Sequence, residues 1–362
     1  MAGRLIWSNN NNGEEKRMEI NCNGEGVLFV EAQCDDTIID DFGDFVPSSE
    51  MKKLIPCVDT CVDDISSFPL VILQVTRFKC GGVCLGLGIF HTLVDGVSGI
   101  HFINAWSEMT RGLSVITVPP FIDRSLLRAR DSPTPPAFDH VEYHPLQTLN
   151  TVPKSCTNAI FKITSDQLTL LRTRSEEHEG TTFEVLAAHI WRCMSKARGL
   201  DDDQLITKLK INTDGRTRLC PPLPQGYLGN VVFTAMPMAK SGELQSEPLT
   251  ITARRVHDAV ARMNDEYLRS AIDYLELIPD LSKLILFPNF PSPNLKINSW
   301  TKMPIHDSDF GWGKPIHMGP ARIFCEGTVY ILPSPNDDKS LRILMSLDSD
   351  HMSLFEKYLY DF

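Results

Sequence analysis

His91-Thr92-Leu93-Val94-Asp95-Gly96 sets an imidazole four residues before a carboxylate and closes with glycine. An imidazole titrates near neutral pH, so His91 suits general-base work, taking a proton from an attacking hydroxyl or amine. By composition a His-x-x-x-Asp string arises somewhat less than once in such a chain. The glycine cuts that to roughly a few per cent, which makes the string suggestive only. A structural histidine with a capping aspartate is the plainer reading of the same residues. His101 and His189 fall on helical faces, as packing residues do. A second string, Asp309-Phe310-Gly311-Trp312-Gly313-Lys314-Pro315, sets two glycines around an aromatic, a turn whose backbone can approach another element closely. Its Asp-Phe-Gly is also found in kinases, but no Gly-x-Gly-x-x-Gly and no His-Arg-Asp loop accompany it, and Asp41-Phe42-Gly43 repeats the tripeptide. A structural loop accounts for it on spacing alone. There is no Gly-x-Ser-x-Gly elbow, no Walker loop and no cysteine in a recognisable activating setting. A base without a protein nucleophile suits direct transfer to an acceptor better than a covalent intermediate.

Residues 68–78 and 83–90 flank Lys79-Cys80-Gly81-Gly82 and read as a hairpin with apolar strands. A helix follows Gly96, with Ile100, Ile103, Trp106 and Met109 on one face and Gly112 at its end. His91 and Asp95 therefore fall on a strand-to-helix connection, where rigid elements hold functional side chains. Residues 9–17 read as a turn between two short strands. Residues 128–158, rich in Pro, Ser, Thr and Asp, read as an ordered crossover between domains. Beyond it, Thr181-Thr182-Phe183-Glu184 is a capping box for a helix through Ala197, closed by Gly199. Strands are expected at 207–213, after Gly229-Asn230, at 322–332 and at 341–348, with helices over about 250–277 and 350–361. Interleaved strands and helices make both halves α/β or α+β.

The 362 residues carry 35 Lys+Arg against 46 Asp+Glu, a net charge of −11, and are 42% hydrophobic. The length predicts two domains, and the apolar content excludes wholesale disorder. The negative balance argues against nucleic acid as a partner. Ten cysteines are diluted over the chain, and the pairs Cys57/Cys61 and Cys80/Cys84 lack histidines at zinc-site distances, so no metal is expected. There is no signal-peptide core and no run of about 18 apolar residues, so no membrane partner is expected and the protein reads as cytoplasmic.

HTLVDG in the first half and DFGWGKP near the end together resemble the paired signatures of the plant BAHD acyl-CoA-dependent acyltransferases. The resemblance covers essentially the whole chain. It is nearest the hydroxycinnamoyl-CoA shikimate/quinate hydroxycinnamoyltransferases and the anthranilate N-acyltransferases. Gly24–Val30, Ile39–Phe45, Ile100–Asn104, Pro120–Arg130, Trp191–Leu200, Asp214-Gly215-Arg216, Tyr227–Asn230, Tyr267–Glu276 and Met352–Phe362 carry it as well. It implies two chloramphenicol-acetyltransferase-like domains, each a mixed β-sheet flanked by helices, with a channel between them. These would be residues 1–150, with a return from about 308–325, and residues 151–362. It implies transfer of a hydroxycinnamoyl or related aromatic acyl group from acyl-CoA to an alcohol or amine by a monomer with no permanently bound cofactor, acyl-CoA being the co-substrate. The alternative is a non-catalytic acyl-CoA-binding protein.

On this resemblance His91 is the base, and Trp300, with Asn298 beside it, lines the acceptor side and offers an indole N–H to the oxyanion. Asp95 turns away to pair with an arginine, for which Arg269 is the candidate, and Gly96 opens the helix. Asp309, Gly311, Trp312 and Gly313 support the site from a distance, and Asn230 belongs to the channel, with Leu228 replacing the usual Phe. Three positions depart from the shikimate branch. Thr92 stands for a second histidine, Asn298 for a threonine, and Ile285 for the arginine that grips the acceptor carboxylate. Losing that guanidinium fork favours an alcohol or amine other than shikimate or quinate. Met1–Leu5 matches a block about 60–70 residues into family members, so an opening segment is expected to be missing.

Overall fold

The computed structural model describes residues 1–7, 18–58, 64–133, 135–144, 155–175, 180–200, 202–278, 290–336 and 338–362. The expected turn at 9–17, parts of the 128–158 crossover and Ile285 lie outside the described residues. Contacts divide the chain into two compact units, Met1–Phe102 with Pro320–Arg322, and Ile103–Gly319 with Ile323–Phe362.

In the first unit β1 (Arg4–Trp7) pairs antiparallel with β2 (Met18–Asn21). A separate sheet has the order β3 (Leu28–Cys34), β4 (Val71–Phe78), β5 (Val83–Ile89), with a one-turn helix α1 (Ser49–Lys52) between β3 and β4 in sequence. β3 runs parallel to β4, and β4 and β5 form the expected hairpin. Its strands are not uniformly buried: β4 is mostly inside, whereas β5, at the sheet edge, is mainly half-buried. Gly86 in β5 is needed for close approach, because a Cβ there would meet the Leu54 carbonyl oxygen. β5 leads through Phe90–Asp95 into α2 (Gly96–Thr110).

The second unit follows with β6 (Cys156–Ile163), α3 (Ser165–Thr173), α4 (Thr182–Ala197), β7 (Ile206–Asp214), β8 (Val232–Ala235) and β9 (Met238–Lys240). Then come α5 (Ser241–Ser246), α6 (Leu249–Ala261), α7 (Asp265–Leu277), β10 (Leu295–Ser299), β11 (Thr328–Pro333), β12 (Leu341–Asp348) and α8 (Ser349–Leu359). The sheet order is β6-β12-β11-β10-β7-β8, with β9 also on β7. β11, β10 and β7 are parallel, and the other pairs are antiparallel. Alternate residues (Leu209, Ile211, Leu295, Ile297, Val329, Ile331, Ile343 and Met345) enter one large core with α4, α6 and α8. α4 is buried over most of its surface. Its capping box is formed: Thr181 N–H donates to Glu184 Oε2 at 2.8 Å, and Glu184 N–H to Thr181 Oγ1 at 3.4 Å. Residues of 121–133 and 135–143 already pack on this unit. Phe121 stacks on Tyr227, Arg130 Nε donates to Asp273 Oδ2 at 2.6 Å, and Phe138 and Tyr143 lie against the core.

The single helix expected over 250–277 is two. Asn264 accepts from Tyr267 N–H at 3.0 Å and starts α7, while Arg218 donates to the Val260 and Met263 carbonyls at 3.0 Å each where α6 ends. An N-capping side chain and a guanidinium that satisfies terminal carbonyls make that break favourable where apolar periodicity runs through it.

Candidate active site

His91 sits at the corner between β5 and α2 and is exposed. The backbone on both sides is fastened. Phe90 N–H donates to the Leu70 carbonyl at 2.9 Å, tying the corner to the strand entry, and Leu93 N–H donates to the Phe90 carbonyl at 2.9 Å. Leu93 and Val94 are buried, so the turn is anchored by its apolar residues and presents the imidazole outward. Asp95, 2% exposed, caps α2: its Oδ1 accepts from Ser98 N–H at 2.9 Å, and its carbonyl from Gly99 N–H at 2.8 Å. An aspartate at this position satisfies an orphan amide and complements the helix dipole. Gly96 is the first helical residue. Arg269, expected opposite Asp95, pairs with Asp265 one turn back on α7 at 3.4 Å.

The second string forms a loop closed by its own aspartate. Asp309 Oδ1 accepts from Gly311 N–H at 2.7 Å and Gly313 N–H at 2.9 Å, and both glycines have positive φ, 101° and 96°. These amides, with Arg111 nearby, hold the Asp309 carboxyl below the ordinary carboxylate range. Phe310 packs edge-on against Trp106 at 4.9 Å, and Trp312 is 72% exposed. Asn230 is exposed, just before β8.

Asn298 lies near the end of β10, and Trp300 directly follows the strand. Trp300 is half-buried, its backbone N–H donates to the Ile331 carbonyl at 2.8 Å, and its ring meets Tyr330 edge-on at 5.8 Å. Asn298, 7% exposed, accepts at Oδ1 from Asn212 Nδ2 at 2.6 Å. Sequence reasoning missed what surrounds them. Leu209-Lys210-Ile211-Asn212 on β7 and Leu295-Lys296-Ile297-Asn298 on β10 are the same tetrapeptide, and the parallel register sets Leu295 beside Leu209, Lys296 beside Lys210 and Ile297 beside Ile211. The leucines and isoleucines enter the core, so alternation sends the lysines and asparagines to the opposite face. Burial and the neighbouring Lys296 ammonium bring the Lys210 amine down to about 8; Lys296 is also lowered, mainly by burial. The repeated tetrapeptide was a visible signal, but its pairing was not. On the same face Arg342 Nη1 lies 3.4 Å from His317 Nδ1, and burial, with Arg342 and His306, brings the His317 imidazole down to about 4.

Among the described residues no cluster of three or more His, Cys, Asp or Glu is placed to hold a metal, and no helix is long and apolar enough to cross a membrane.

The Transferase family model matches residues 1–362. A shikimate O-hydroxycinnamoyltransferase of Nicotiana tabacum is 53% identical over all of this chain and 84% of its own length. A hydroxycinnamoyl-CoA:5-hydroxyanthranilate N-hydroxycinnamoyltransferase of Avena sativa is 51% identical over all of this chain and 82% of its length. Among solved structures, F. graminearum TRI101 complexed with ethyl coenzyme A is similar with a TM-score of 0.78, at 21% identity, over 97% of this chain and 84% of that one.

Proposed function

The chain belongs to the BAHD transferase family and is an acyl-CoA-dependent acyltransferase, and on that premise we propose that it moves a hydroxycinnamoyl or related aromatic acyl group from coenzyme A to an alcohol or amine. The observation that carries the reading is the His91 corner, where an exposed imidazole rides on a backbone fixed by β5, by buried Leu93 and Val94 and by the Asp95 cap. His91 takes the proton from the acceptor oxygen or nitrogen as that atom attacks the thioester carbonyl. The tetrahedral oxyanion forms, the carbonyl re-forms, and the thiolate of coenzyme A leaves and takes up the proton. No enzyme-bound acyl intermediate is needed. The Trp300 indole N–H is assigned to the oxyanion, a contribution of about 3–4 kcal/mol for a single donor. Asp95 works by holding the start of α2, not by touching substrate. The protein acts as a cytoplasmic monomer on small molecules.

Incubation with p-coumaroyl-CoA and a panel of alcohols and amines, following released coenzyme A, tests this. Acceptor-dependent release is expected, and it falls in His91→Ala. Acyl-CoA cleavage without any acceptor, or full activity in His91→Ala, would overturn it.

A further inference from the structure

β7, β10 and β11 set three polar side chains in one row across the sheet. Asn212 follows Ile211, which lies beside Ile297 in the parallel register, and Asn298 lies beside Tyr330. Alternation puts this row on the face away from α4, α6 and α8. Asn212 Nδ2 donates to Asn298 Oδ1 at 2.6 Å, and among the described residues neither side-chain amide has another hydrogen bond. The bond leaves complementary remainders. Asn298 keeps both amide N–H groups, and Asn212 keeps its oxygen and one N–H. Asn298 is 7% exposed, so its free donors are largely withdrawn from water, where an unmet hydrogen bond is costly. Leu344 and Ile160 continue the row beyond Tyr330 and offer no side-chain polar group. The ladder runs on past β10, with Trp300 N–H on the Ile331 carbonyl, so Trp300 stands on the Asn298 face about 6.6 Å along the chain. Its ring meets Tyr330 edge-on, which gives the amides an aromatic border.

We propose that Asn212 and Asn298 form a neutral subsite that selects an acceptor by a hydroxyl group on its ring. A hydroxyl both accepts and donates, so it can use an Asn298 N–H and the Asn212 oxygen together. Asn212 is a positioning residue: its N–H holds the Asn298 oxygen and so leaves the Asn298 donors for the substrate. An aspartate at 212 only accepts, and it would reverse Asn298 so that the oxygen is presented instead. Lys210 and Lys296 stand two residues earlier on the same face, which makes a carboxylated ring the competing ligand that the test must include. The inference deepens the acyltransferase reading and rests on it, with Trp300 on the acceptor side. It narrows the alcohols and amines to those carrying a hydroxylated ring.

The test uses p-coumaroyl-CoA with benzylamine and benzyl alcohol, and with their ortho-, meta- and para-hydroxy, methoxy and carboxy derivatives. The wild type should favour at least one hydroxylated acceptor over its parent by about 10-fold or more in kcat/KM, acting through KM. In Asn212→Ala and in Asn298→Ala that preference should disappear. In Asn212→Asp, which keeps the shape, the hydroxyl preference should persist, while kcat/KM for the methoxy analogue, which only accepts, falls about 10-fold. A merely structural asparagine would not respond to the polarity of the substituent in this way. A hydroxyl preference that survives in both alanine variants overturns the proposal, and so does a carboxylated ring favoured over every hydroxylated one. A change in the ratio of p-coumaroyl-CoA to cinnamoyl-CoA turnover, with acceptor preference untouched, overturns it too, since the amides then hold the acyl ring. Calorimetry in the presence of coenzyme A separates this proposal from the reading beneath it. Tighter binding of a hydroxylated compound, lost in Asn212→Ala, supports the subsite even without turnover, whereas absence of turnover with every acceptor counts against the acyltransfer reading. Equal binding of parent and hydroxylated compounds by the wild type overturns the subsite.

Discussion

The His91 residue is exposed while the backbone on either side of it is hydrogen-bonded at Phe90 and Leu93, so its side chain can be altered with little disturbance of the fold. His91→Asn should therefore lower kcat by roughly 10²–10⁴-fold, the ordinary contribution of a positioned base, with coenzyme A affinity by calorimetry unchanged. Unchanged turnover would assign the imidazole to structure. Trp300→Phe keeps an aromatic ring against Tyr330 but removes the indole donor, and kcat should fall about 100-fold with little change in melting temperature. His91 was singled out from a local string, whereas Trp300 was singled out only through the family resemblance. Asp95 was legible as a helix cap from its place before Gly96, and the structure gives it that role through Ser98. Lys210 and Lys296, 86 residues apart in the chain, were not legible as a unit.

Two elements, one in each unit, carry the proposed residues, and each depends on a contact away from them. β5 delivers His91, and its Gly86 lies so near the Leu54 carbonyl that Gly86→Ala must displace backbone. A loss of at least 1–3 kcal/mol in urea unfolding is expected, together with loss of activity. β10 delivers Lys296, Asn298 and Trp300, and its entry is held by Arg198 at the end of α4. That guanidinium, 2% exposed, donates to Glu326 Oε1 and Oε2 at 2.7 and 2.8 Å and to the Pro293 and Asn294 carbonyls at 3.1 and 2.8 Å. Glu326→Ala leaves a buried cation without its anion and should cost about 3–5 kcal/mol, read by denaturant midpoint. The α4 helix was legible from its capping box. The break between α6 and α7 was not, because the apolar stripe continues through it and the Arg218 contact that favours it comes from a distant segment.

Across the whole molecule the net charge of −11 conceals a sheet face where Lys208, Lys210, Lys296 and Arg342 collect, and two buried bases there make stability depend on pH in separate windows. His317 has its pKa lowered from 6.5 to about 4. Between those values the unfolded chain holds a proton that the folded chain does not, so stability is complete above pH 6.5 and is lost as pH falls toward 4. His317→Gln should flatten that acid limb in urea melts. Lys210 has its pKa lowered from 10.5 to about 8, so its cost is full below 8 and is relieved as pH rises toward 10.5. Lys210→Met should be the more stable protein at pH 7, and its advantage over wild type should shrink by pH 10. Equal advantage at both values would mean the ammonium is not the source of the cost. The sequence alone determined the family, through its resemblance to known signatures, and the α/β character of both halves, the hairpin, the capped helices and the His91 corner, because local spacing, turn chemistry and periodicity encode these last four. Only the tertiary structure decided that the two Leu-Lys-Ile-Asn segments lie side by side. Pairing between strands far apart in the chain is set by how the whole sheet packs its apolar rows against α4, α6 and α8, and no short window of sequence contains that register.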